Sequence, residues 1–327
     1  MSIDLDLLKK LTQSYGPSGN EKNVLEHIKE EAKNYCDEIY FDNIGNMICK
    51  KNGGGKKIMI TAHSDELGLL ITHIDENGFL RFVPIGSIKV ENCLYKRVEF
   101  YNGFNGIVGI EHLDDKKDIK FDNLYIDIGA ESREDAEKFV KVGDSAVFKG
   151  EFFTNGSRIF SKAIDDRIGC YVALETLKDI KTVNELYFVF TVQEEVGARG
   201  ATTAAYNIEP DLSISVDVTS TGDTPKSKNT VVSLGKGAAI KVKDRSIIVN
   251  PKIKEFMVDI AKKYSIPYQM EILELGGTDA GSIHMTKGGI PSGVISIPTR
   301  YVHSISEEID INDVNASIEL LKRVIEN

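Results

Sequence analysis

The chain has 327 residues, of which 41% are hydrophobic and 28% are charged, and these proportions are typical of an ordinary soluble globular protein. Single hydrophobic cores stop growing at about 250 to 300 residues, so a chain of this length predicts two domains. The 40 basic and 50 acidic residues give a formal net charge of −10, which argues against a nucleic-acid partner through charge repulsion.

The sequence also argues against a membrane partner. No apolar run approaches the roughly 18 residues that cross a bilayer, and the amino terminus lacks the basic start and apolar core of a signal peptide. The four cysteines are widely separated and form no C-x-x-C pair, which favours reduced thiols over a zinc ribbon or a redox motif. These features predict a cytosolic protein.

The first part of the chain predicts two helices followed by a strand. Leucines at helical spacing occupy residues 3–11, and Ser18 with Glu21 matches the S-x-x-E capping box that begins a helix. A strand is predicted over residues 39–49. The glycine-rich run 52–56 lacks the G-x-x-x-x-G-K-[ST] spacing of a phosphate loop, so we interpret it as a hairpin turn.

The pattern changes between residues 67 and 158, where short alternating strands follow one another with turn residues between them. Strands at close spacing without intervening helices are typical of a small antiparallel barrel or sandwich. We therefore predict that residues 67–158 form a β-rich domain inserted into a first domain, which is made of residues 1–66 and 159–327.

Past residue 158, strands and helices alternate. An amphipathic helix is predicted over residues 168–177, a strand over 186–192 and a helix over 252–264. Such alternation is typical of a parallel sheet with helices on its faces. The predicted fold class is therefore α/β, a mostly parallel sheet flanked by helices with a small all-β domain inserted.

Acidic and histidine residues recur at or after short apolar runs, at residues 57–62, 158–162, 186–192, 212–216 and 293–297. Runs of this kind suit strands buried on both faces. Because ligands bind outside the carboxyl ends of parallel strands, we expect these polar residues to converge on one crevice. Two imidazoles and several carboxylates in one place indicate a metal site, and their number suggests two ions. The residues are His63, Asp65, Asp165, Asp166, Glu194, Glu195, Asp217 and His303.

Several of these residues also have a plain structural explanation, whereas Asp217 is harder to explain in this way because it interrupts an apolar strand. His63 could be a hydrogen-bonded core histidine, and Asp165 with Asp166 could simply cap a helix. Glu194 and Glu195 could be a solvated pair, although two adjacent carboxylates at the end of a buried strand are costly without a cation nearby. The neighbouring residues are what favour a metal site over these explanations.

Five segments carry a family resemblance: AHSDELG (62–68), AIDDRIG (163–169), VQEEVG (192–197), VDVT (216–219) and PTRYVHS (298–304). In order and spacing they resemble the di-metal tetrahedral aminopeptidases, the family of glutamyl and deblocking aminopeptidases. The resemblance covers nearly the whole chain, including the GGTDA loop (276–280) and the inserted segment. Ser64 and Leu67 depart from the family pattern, and this departure concerns substrate preference.

The resemblance implies a centre with two divalent metal ions. It makes Asp165 the bridging carboxylate, with His63 and Asp217 completing one metal and Glu195 and His303 the other. Glu194 would be the general base, and Asp65 would be an acid that orients a ligand without binding a metal itself. Each metal would then have three protein ligands and an open position, as a catalytic site requires. Mixed imidazole and carboxylate ligation favours zinc or cobalt without choosing sharply between them.

The resemblance further implies an aminopeptidase that hydrolyses amino-terminal residues from peptides. Members of the family assemble through the inserted domain into dimers and then tetrahedral dodecamers, so a homo-oligomer is expected. Three alternatives stay open at this point: a related di-metal carboxypeptidase or deacylase, a relative labelled as an endoglucanase, and a scaffold that kept only a structural metal. Glycoside cleavage usually employs two metal-free carboxyl groups, and a structural metal site would not need the unligated Glu194.

Overall fold

The structure is a computed structural model that describes residues 3–115, 119–227 and 230–327. The strands are β1 (Glu38–Phe41), β2 (Met47–Lys51), β3 (Lys57–His63), β4 (Gly68–Ile74), β5 (Leu80–Ile85), β6 (Arg97–Phe100), β7 (Asn105–Ile110), β8 (Leu124–Asp127), β9 (Ser145–Phe148), β10 (Phe153–Asn155), β11 (Arg158–Ser161), β12 (Glu185–Thr191), β13 (Leu212–Ser220), β14 (Ala238–Lys243), β15 (Tyr268–Ile272), β16 (Ser292–Thr299) and β17 (Glu307–Asp310). The helices are α1 (Leu5–Gln13), α2 (Lys22–Ala32), α3 (Arg133–Ala136), α4 (Ile164–Lys178), α5 (Arg199–Ile208), α6 (Pro251–Lys263), α7 (Asp279–Ile283) and α8 (Ile311–Glu326). Within the described ranges, no helix combines the length and the apolar character needed to cross a membrane.

An eight-stranded sheet organises most of the chain, in the order β1-β2-β12-β3-β13-β16-β14-β15. The four central strands β12, β3, β13 and β16 run parallel to one another. At one edge, β1 and β2 are antiparallel to their neighbours, and on the other side β14 is antiparallel to β16. The carboxyl ends of the four central strands therefore lie at the same edge of the sheet.

Helices cover both faces of this sheet, which explains the continuous apolar runs of its central strands. Along β12, Leu186, Phe188 and Phe190 pack into a core formed with α1, α2, α4, α6 and α8. The alternate side chains Tyr187 and Val189 pack on the opposite face against α5 and α7. Both sets are buried, so the strand carries no polar face.

A closed barrel with the strand order β4-β5-β8-β7-β6-β9 interrupts the α/β chain. It has its own hydrophobic core, to which Leu69, Phe82, Val98 and Val108 contribute. The short strand β10, which follows the barrel in the chain, pairs with β11 and not with the barrel strands. Together with β17 they form a separate three-stranded antiparallel sheet, so the apolar run 158–162 is not a strand of the parallel sheet.

Two local predictions are wrong. The run 52–56 is not a hairpin turn, because β12 lies between β2 and β3 and the loop joins strands that are not neighbours. This loop packs closely on the segment before β12: the N–H groups of Gly54 and Gly55 both donate to the Val183 carbonyl oxygen at 2.9 Å. The predicted strand 39–49 is in fact a hairpin formed by β1 and β2.

The predicted capping box is also wrong. Helix α2 begins at Lys22 without a side-chain cap. The Ser18 hydroxyl instead donates to Asp65 Oδ2 at 2.6 Å, and Glu21 Oε1 accepts from the Gln193 N–H at 3.1 Å. A tertiary partner has therefore taken Ser18 away from the helix end, whereas Glu21 Oε1 also accepts from the nearby Gly19 N–H at 2.6 Å.

Candidate metal centre

The predicted site residues come together at the carboxyl edge of the central strands. Strand β3 ends at His63, and β12 ends just before Glu194 and Glu195. Asp217 lies within β13, and His303 follows β16 in the turn that leads to β17. Residues from distant parts of the chain thus meet because parallel strands end at one edge.

Asp165 lies between the two histidines. Its Oδ1 is 3.1 Å from His63 Nε2, and its Oδ2 is 3.2 Å from His303 Nε2. Asp217 Oδ1 is 4.0 Å from His63 Nε2, while Glu195 Oε2 is 3.7 Å from His303 Nε2. Oδ1 of Asp165 thus faces His63, which lies beside Asp217, and Oδ2 faces His303, which lies beside Glu195. Such an arrangement suits one carboxylate shared by two cations.

The neighbouring Asp166 has a different environment. Its Oδ1 accepts from the Gly169 N–H at 3.0 Å, and its Oδ2 accepts from the His63 N–H at 3.2 Å. The helix-cap explanation therefore describes Asp166, whereas the side chain of Asp165 faces the histidines. A ligand oxygen of Asp166 also lies within 4.8 Å of His63 and Asp217, but both of its oxygens already accept backbone hydrogen bonds.

The Nδ1 atoms of both histidines face oxygen atoms. His303 Nδ1 is 2.9 Å from the carbonyl oxygen of Ser87, within hydrogen-bond distance. His63 Nδ1 lies 3.4 Å from Asp65 Oδ1, an ion-pair contact that lacks hydrogen-bond geometry. Metal-binding histidines usually engage their other ring nitrogen with a carboxylate or a backbone carbonyl, which fixes the ring. The Nε2 atoms are therefore the ones directed toward the centre.

Buried carboxylates hold the backbone of the turn that carries the two glutamates. Asp65 accepts from the Glu194 N–H through Oδ1 at 3.0 Å and from the Glu195 N–H through Oδ2 at 3.2 Å. The preceding N–H, that of Gln193, is held by Glu21. Three successive donors of one turn are thus occupied, which fixes where the side chains of Glu194 and Glu195 begin.

Sequence reasoning missed Glu307. This residue is 2% exposed, and its two oxygens accept from the N–H groups of Asp165 at 2.9 Å and His303 at 2.8 Å. It lies in the polar segment 304–308, where no long apolar run precedes it. Its position four residues after His303 was the only signal that could have indicated it.

The charges of the centre call for cations. Burial raises the pKa of Glu194 and that of Asp217 well above the ordinary carboxyl range. Burial and the charge of Asp165 raise the pKa of Glu195 to about 7. Burial lowers the pKa of His303, but its contact with Asp165 and the charge of Glu195 outweigh burial and raise this pKa to about 10. Protein groups alone therefore do not balance the negative charge in this low-dielectric site.

One atom offers an independent test of whether a metal fits. Glu195 Oε1 is buried and has no hydrogen-bond partner among the described residues. A buried carboxylate oxygen without a partner is costly, and coordination of a cation removes that cost. The imidazole and carboxylate donors present here are also the ligand types that zinc and cobalt accept. The residues therefore fit a metal.

A cavity opens beside Asp165, Glu195 and His303 at the junction of the barrel and the sheet. Much of its wall is apolar, and the buried Lys162 in it pairs with Glu66. The apolar wall residues are Leu67, Ile88, Phe148 and Ile305. Leu67, which departs from the family pattern, thus lies where a substrate would approach the centre, whereas the Ser64 hydroxyl is buried and donates to the Thr191 carbonyl oxygen.

The class of protein follows from the central parallel strands and the site at their carboxyl ends. A buried cluster of histidines and carboxylates beside an open cavity is typical of a metal-dependent hydrolase. Residues 45–320 match the family described as M42 glutamyl aminopeptidase. The chain therefore belongs to the M42 glutamyl aminopeptidase family and is a metal-dependent aminopeptidase. The family resemblance predicted from the five motifs is confirmed.

Individual relatives agree with this assignment. The lysyl aminopeptidase of Pyrococcus furiosus is 35% identical over 340 residues, which cover 99% of this chain and 97% of that protein. Aminopeptidase APDkam598 of Desulfurococcus kamchatkensis superimposes with a TM-score of 0.95 at 41% identity, covering 99% of this chain and 94% of that one. The Pyrococcus horikoshii TET1 peptidase, which can assemble into a tetrahedron or a large octahedral shell, superimposes with a TM-score of 0.90 at 34% identity and 99% coverage of both chains.

Proposed function

We propose that this aminopeptidase works with two divalent metal ions that share Asp165. His63 and Asp217 would complete the site on one side of Asp165, called here the His63 site. Glu195 and His303 would complete the other, called the His303 site. The observation that carries the proposal is the placement of the two Asp165 oxygens, each 3.1 to 3.2 Å from a different imidazole Nε2.

The proposed chemistry is the addition of water across the first peptide bond of a peptide. When bound, two ions at such a centre lower the pKa of a shared water and polarise the scissile carbonyl. Glu194, which is not a ligand in this scheme, accepts a proton from the attacking water and passes it to the leaving amine. The carbonyl carbon gains the water oxygen, the bond between this carbon and the amide nitrogen breaks, and the nitrogen gains the proton, which releases the amino-terminal residue and the shortened peptide. Asp65 holds the Glu194 backbone in place during these steps.

We propose zinc or cobalt as the metal, because each site offers one imidazole and two carboxylate groups. To test this, a metal-free preparation is reloaded with each of several divalent ions and assayed on substrates that differ in the amino-terminal residue. The assay identifies the activating metal and the preferred amino-terminal residue together. Peptides with an amidated carboxyl terminus serve as the control, since an aminopeptidase should still cleave them and a carboxypeptidase should not. Loss of activity on the amidated peptides would contradict an exopeptidase that acts from the amino terminus.

We also propose that the inserted domain, residues 67–158, mediates self-association into dimers and then a tetrahedral dodecamer. Its barrel has a separate core, and several large apolar side chains are exposed on its surface, which association with another subunit would cover. These side chains are Val83, Tyr95, Tyr101, Ile107, Phe139 and Val142. Light scattering on the intact protein should give the mass of an assembly, and a monomer would contradict this proposal.

The cytosol is the compartment that we propose. The four cysteines are free thiols in the structure, and three of them are buried. Reduced thiols are typical of cytosolic proteins. Cell fractionation with an antibody against the chain tests this proposal, and recovery of the protein outside the cytosolic fraction would contradict it.

A further inference from the structure

The two oxygens of Glu307 join the backbones of two proposed ligands. Oε2 accepts from the Asp165 N–H at 2.9 Å and Oε1 accepts from the His303 N–H at 2.8 Å. The side chain is 2% exposed, so water does not replace these bonds easily. Asp165 and His303 are 138 residues apart in the chain, and Glu307 links them directly.

His303 depends on such a link more than His63 does. His63 is the last residue of β3 and pairs in register with Thr191 of the neighbouring strand. His303 lies outside the strands, in a turn where Tyr301 has a φ of 59° and His303 a φ of 65°. Left-handed backbone costs about 1 to 2 kcal/mol for each residue that has a Cβ, so the surroundings must hold this turn.

Three hydrogen bonds hold His303 itself. Its Nδ1 contacts the Ser87 carbonyl oxygen at 2.9 Å, which orients the ring. The Asn92 side-chain amide donates to its carbonyl oxygen at 3.1 Å and its own N–H donates to Glu307, and these two bonds fix the backbone. The second oxygen of Glu307 fixes the Asp165 backbone at the start of α4, where Asp165 has non-helical dihedral angles. Glu307 thus connects the backbones of the two residues whose Nε2 and Oδ2 atoms lie 3.2 Å apart.

We propose that Glu307 is a positioning residue for the His303 site, the site formed by Asp165, Glu195 and His303. This inference depends on the ligand set proposed above. Glu307 is not a ligand of the ion in this scheme, and although it lies in the wall of the cavity, both of its oxygens accept backbone hydrogen bonds. It sets the spacing of two ligands before a metal binds, so its loss weakens one of the two metal sites selectively.

A matched control exists elsewhere in the chain. Asp313 is also fully buried, and its two oxygens accept from the N–H groups of Gly237 at 2.6 Å and Gly235 at 2.7 Å. It therefore has the same chemistry as Glu307, but its partners are not proposed ligands. A role in stability alone predicts the same behaviour for both residues, whereas a positioning role predicts different behaviour.

The experiment compares Glu307→Gln with Asp313→Asn in the metal-free full-length protein. Glutamine keeps one acceptor oxygen and places an amide NH2 against the other N–H, so only one of the two bonds survives. Cobalt is titrated in and followed by calorimetry and by its visible absorption. We expect the His303 site of Glu307→Gln to bind cobalt about 10- to 100-fold more weakly, with the His63 site unchanged. Asp313→Asn should bind both ions as the wild type does.

Two single-ligand variants, His303→Ala and His63→Ala, identify which site is affected, because the spectrum that remains in Glu307→Gln should match that of His303→Ala. Two wild-type affinities in Glu307→Gln would overturn the inference. Equal weakening of both sites would overturn it as well, since the effect would then be general. If neither histidine variant changed the cobalt titration, the proposed ligand set would be wrong, and the role of Glu307 would be wrong with it. If the histidine variants each lost one site but Glu307→Gln bound both ions normally, only the role of Glu307 would be wrong.

Discussion

Replacement of Glu194 by glutamine is the sharpest test of the proposed base. The substitution keeps the shape of the side chain and removes the proton acceptor. Because Glu194 ligates neither ion in the proposed centre, both ions should remain bound. General bases are worth about 10² to 10⁴ in rate, so kcat should fall by that factor, which corresponds to about 2.7 to 5.4 kcal/mol at 1.36 kcal/mol per tenfold.

The same substitution should raise the stability of the metal-free protein. Burial raises the pKa of Glu194 well above its ordinary value of 4.5, and the charges of Asp217 and Glu195 act in the same direction. Above pH 4.5 Glu194 releases its proton in the unfolded chain but retains it in the folded chain. The free energy of unfolding of the wild-type protein therefore falls as the pH rises from that value. Glutamine has no such dependence. Metal-free Glu194→Gln should therefore melt above the wild type at pH 7, and the difference should vanish below pH 4.5.

Three measurements decide between the outcomes: steady-state kinetics, metal content by mass spectrometry, and calorimetric melting of the chelator-treated protein. Glu195→Gln is the matched control, because it alters the adjacent carboxylate, which is a proposed ligand of the His303 site, and should lose about one ion per chain. A Glu194→Gln enzyme within a few-fold of wild-type kcat would refute the base role. Loss of an ion from Glu194→Gln would instead make Glu194 a ligand.

Further predictions concern the metal content, the inserted barrel, Asp65 and Gly53. Chelation should abolish activity and active protein should contain close to two ions per chain; full activity in metal-free protein would contradict this. Replacing residues 67–158 with a short linker should shift light scattering toward the monomer, and unchanged assembly would exclude the insert as the interface. Asp65→Asn, which can keep only one of the bonds to Glu194 and Glu195, should lower kcat/KM about 10- to 100-fold, and an unchanged value would remove Asp65 from the scheme. Gly53→Ala places a Cβ 2.2 Å from the Asn184 carbonyl oxygen and should cost about 1 to 3 kcal/mol in urea unfolding, whereas Gly54→Ala, which meets no atom within 4 Å, should cost much less.

The sheet could be predicted from sequence because its central strands are buried on both faces and therefore appear as unbroken apolar runs. The order of the strands could not. Nothing in residues 52–56 indicates that β12, more than 100 residues later, inserts between β2 and β3. A turn pattern describes local backbone preference only, and the hairpin prediction failed because strand neighbours are decided by long-range packing.

The site residues, like the strands, could be predicted only in part. The side chains that face the centre lie at or near strand ends, where a pattern of apolar residues followed by acids is visible in the sequence. The groups that hold them are not visible in this way. Ser18 and Glu21 matched a capping box, but the Ser18 hydroxyl donates to the distant Asp65, and Glu21 Oε1 accepts from both the nearby Gly19 N–H and the distant Gln193 N–H. Glu307 was missed because its partners are backbone N–H groups, which leave no trace in residue identity.

The buried acids thus divide into two sets with different partners. Asp165, Glu195 and Asp217 face one another and the histidines. Asp65 and Glu307 face backbone N–H groups, which favour a negative charge, although burial and the charge of Asp165 still raise the pKa of Glu307 to about 8. Each of the latter two links a pair of proposed site residues, Glu194 with Glu195 and Asp165 with His303. A centre built from separate segments needs its ligand spacing defined before metal arrives, and the second set supplies that spacing while the first set supplies the affinity. Binding of the ions should therefore stabilise the folded protein by mass action with little rearrangement of the backbone around the centre.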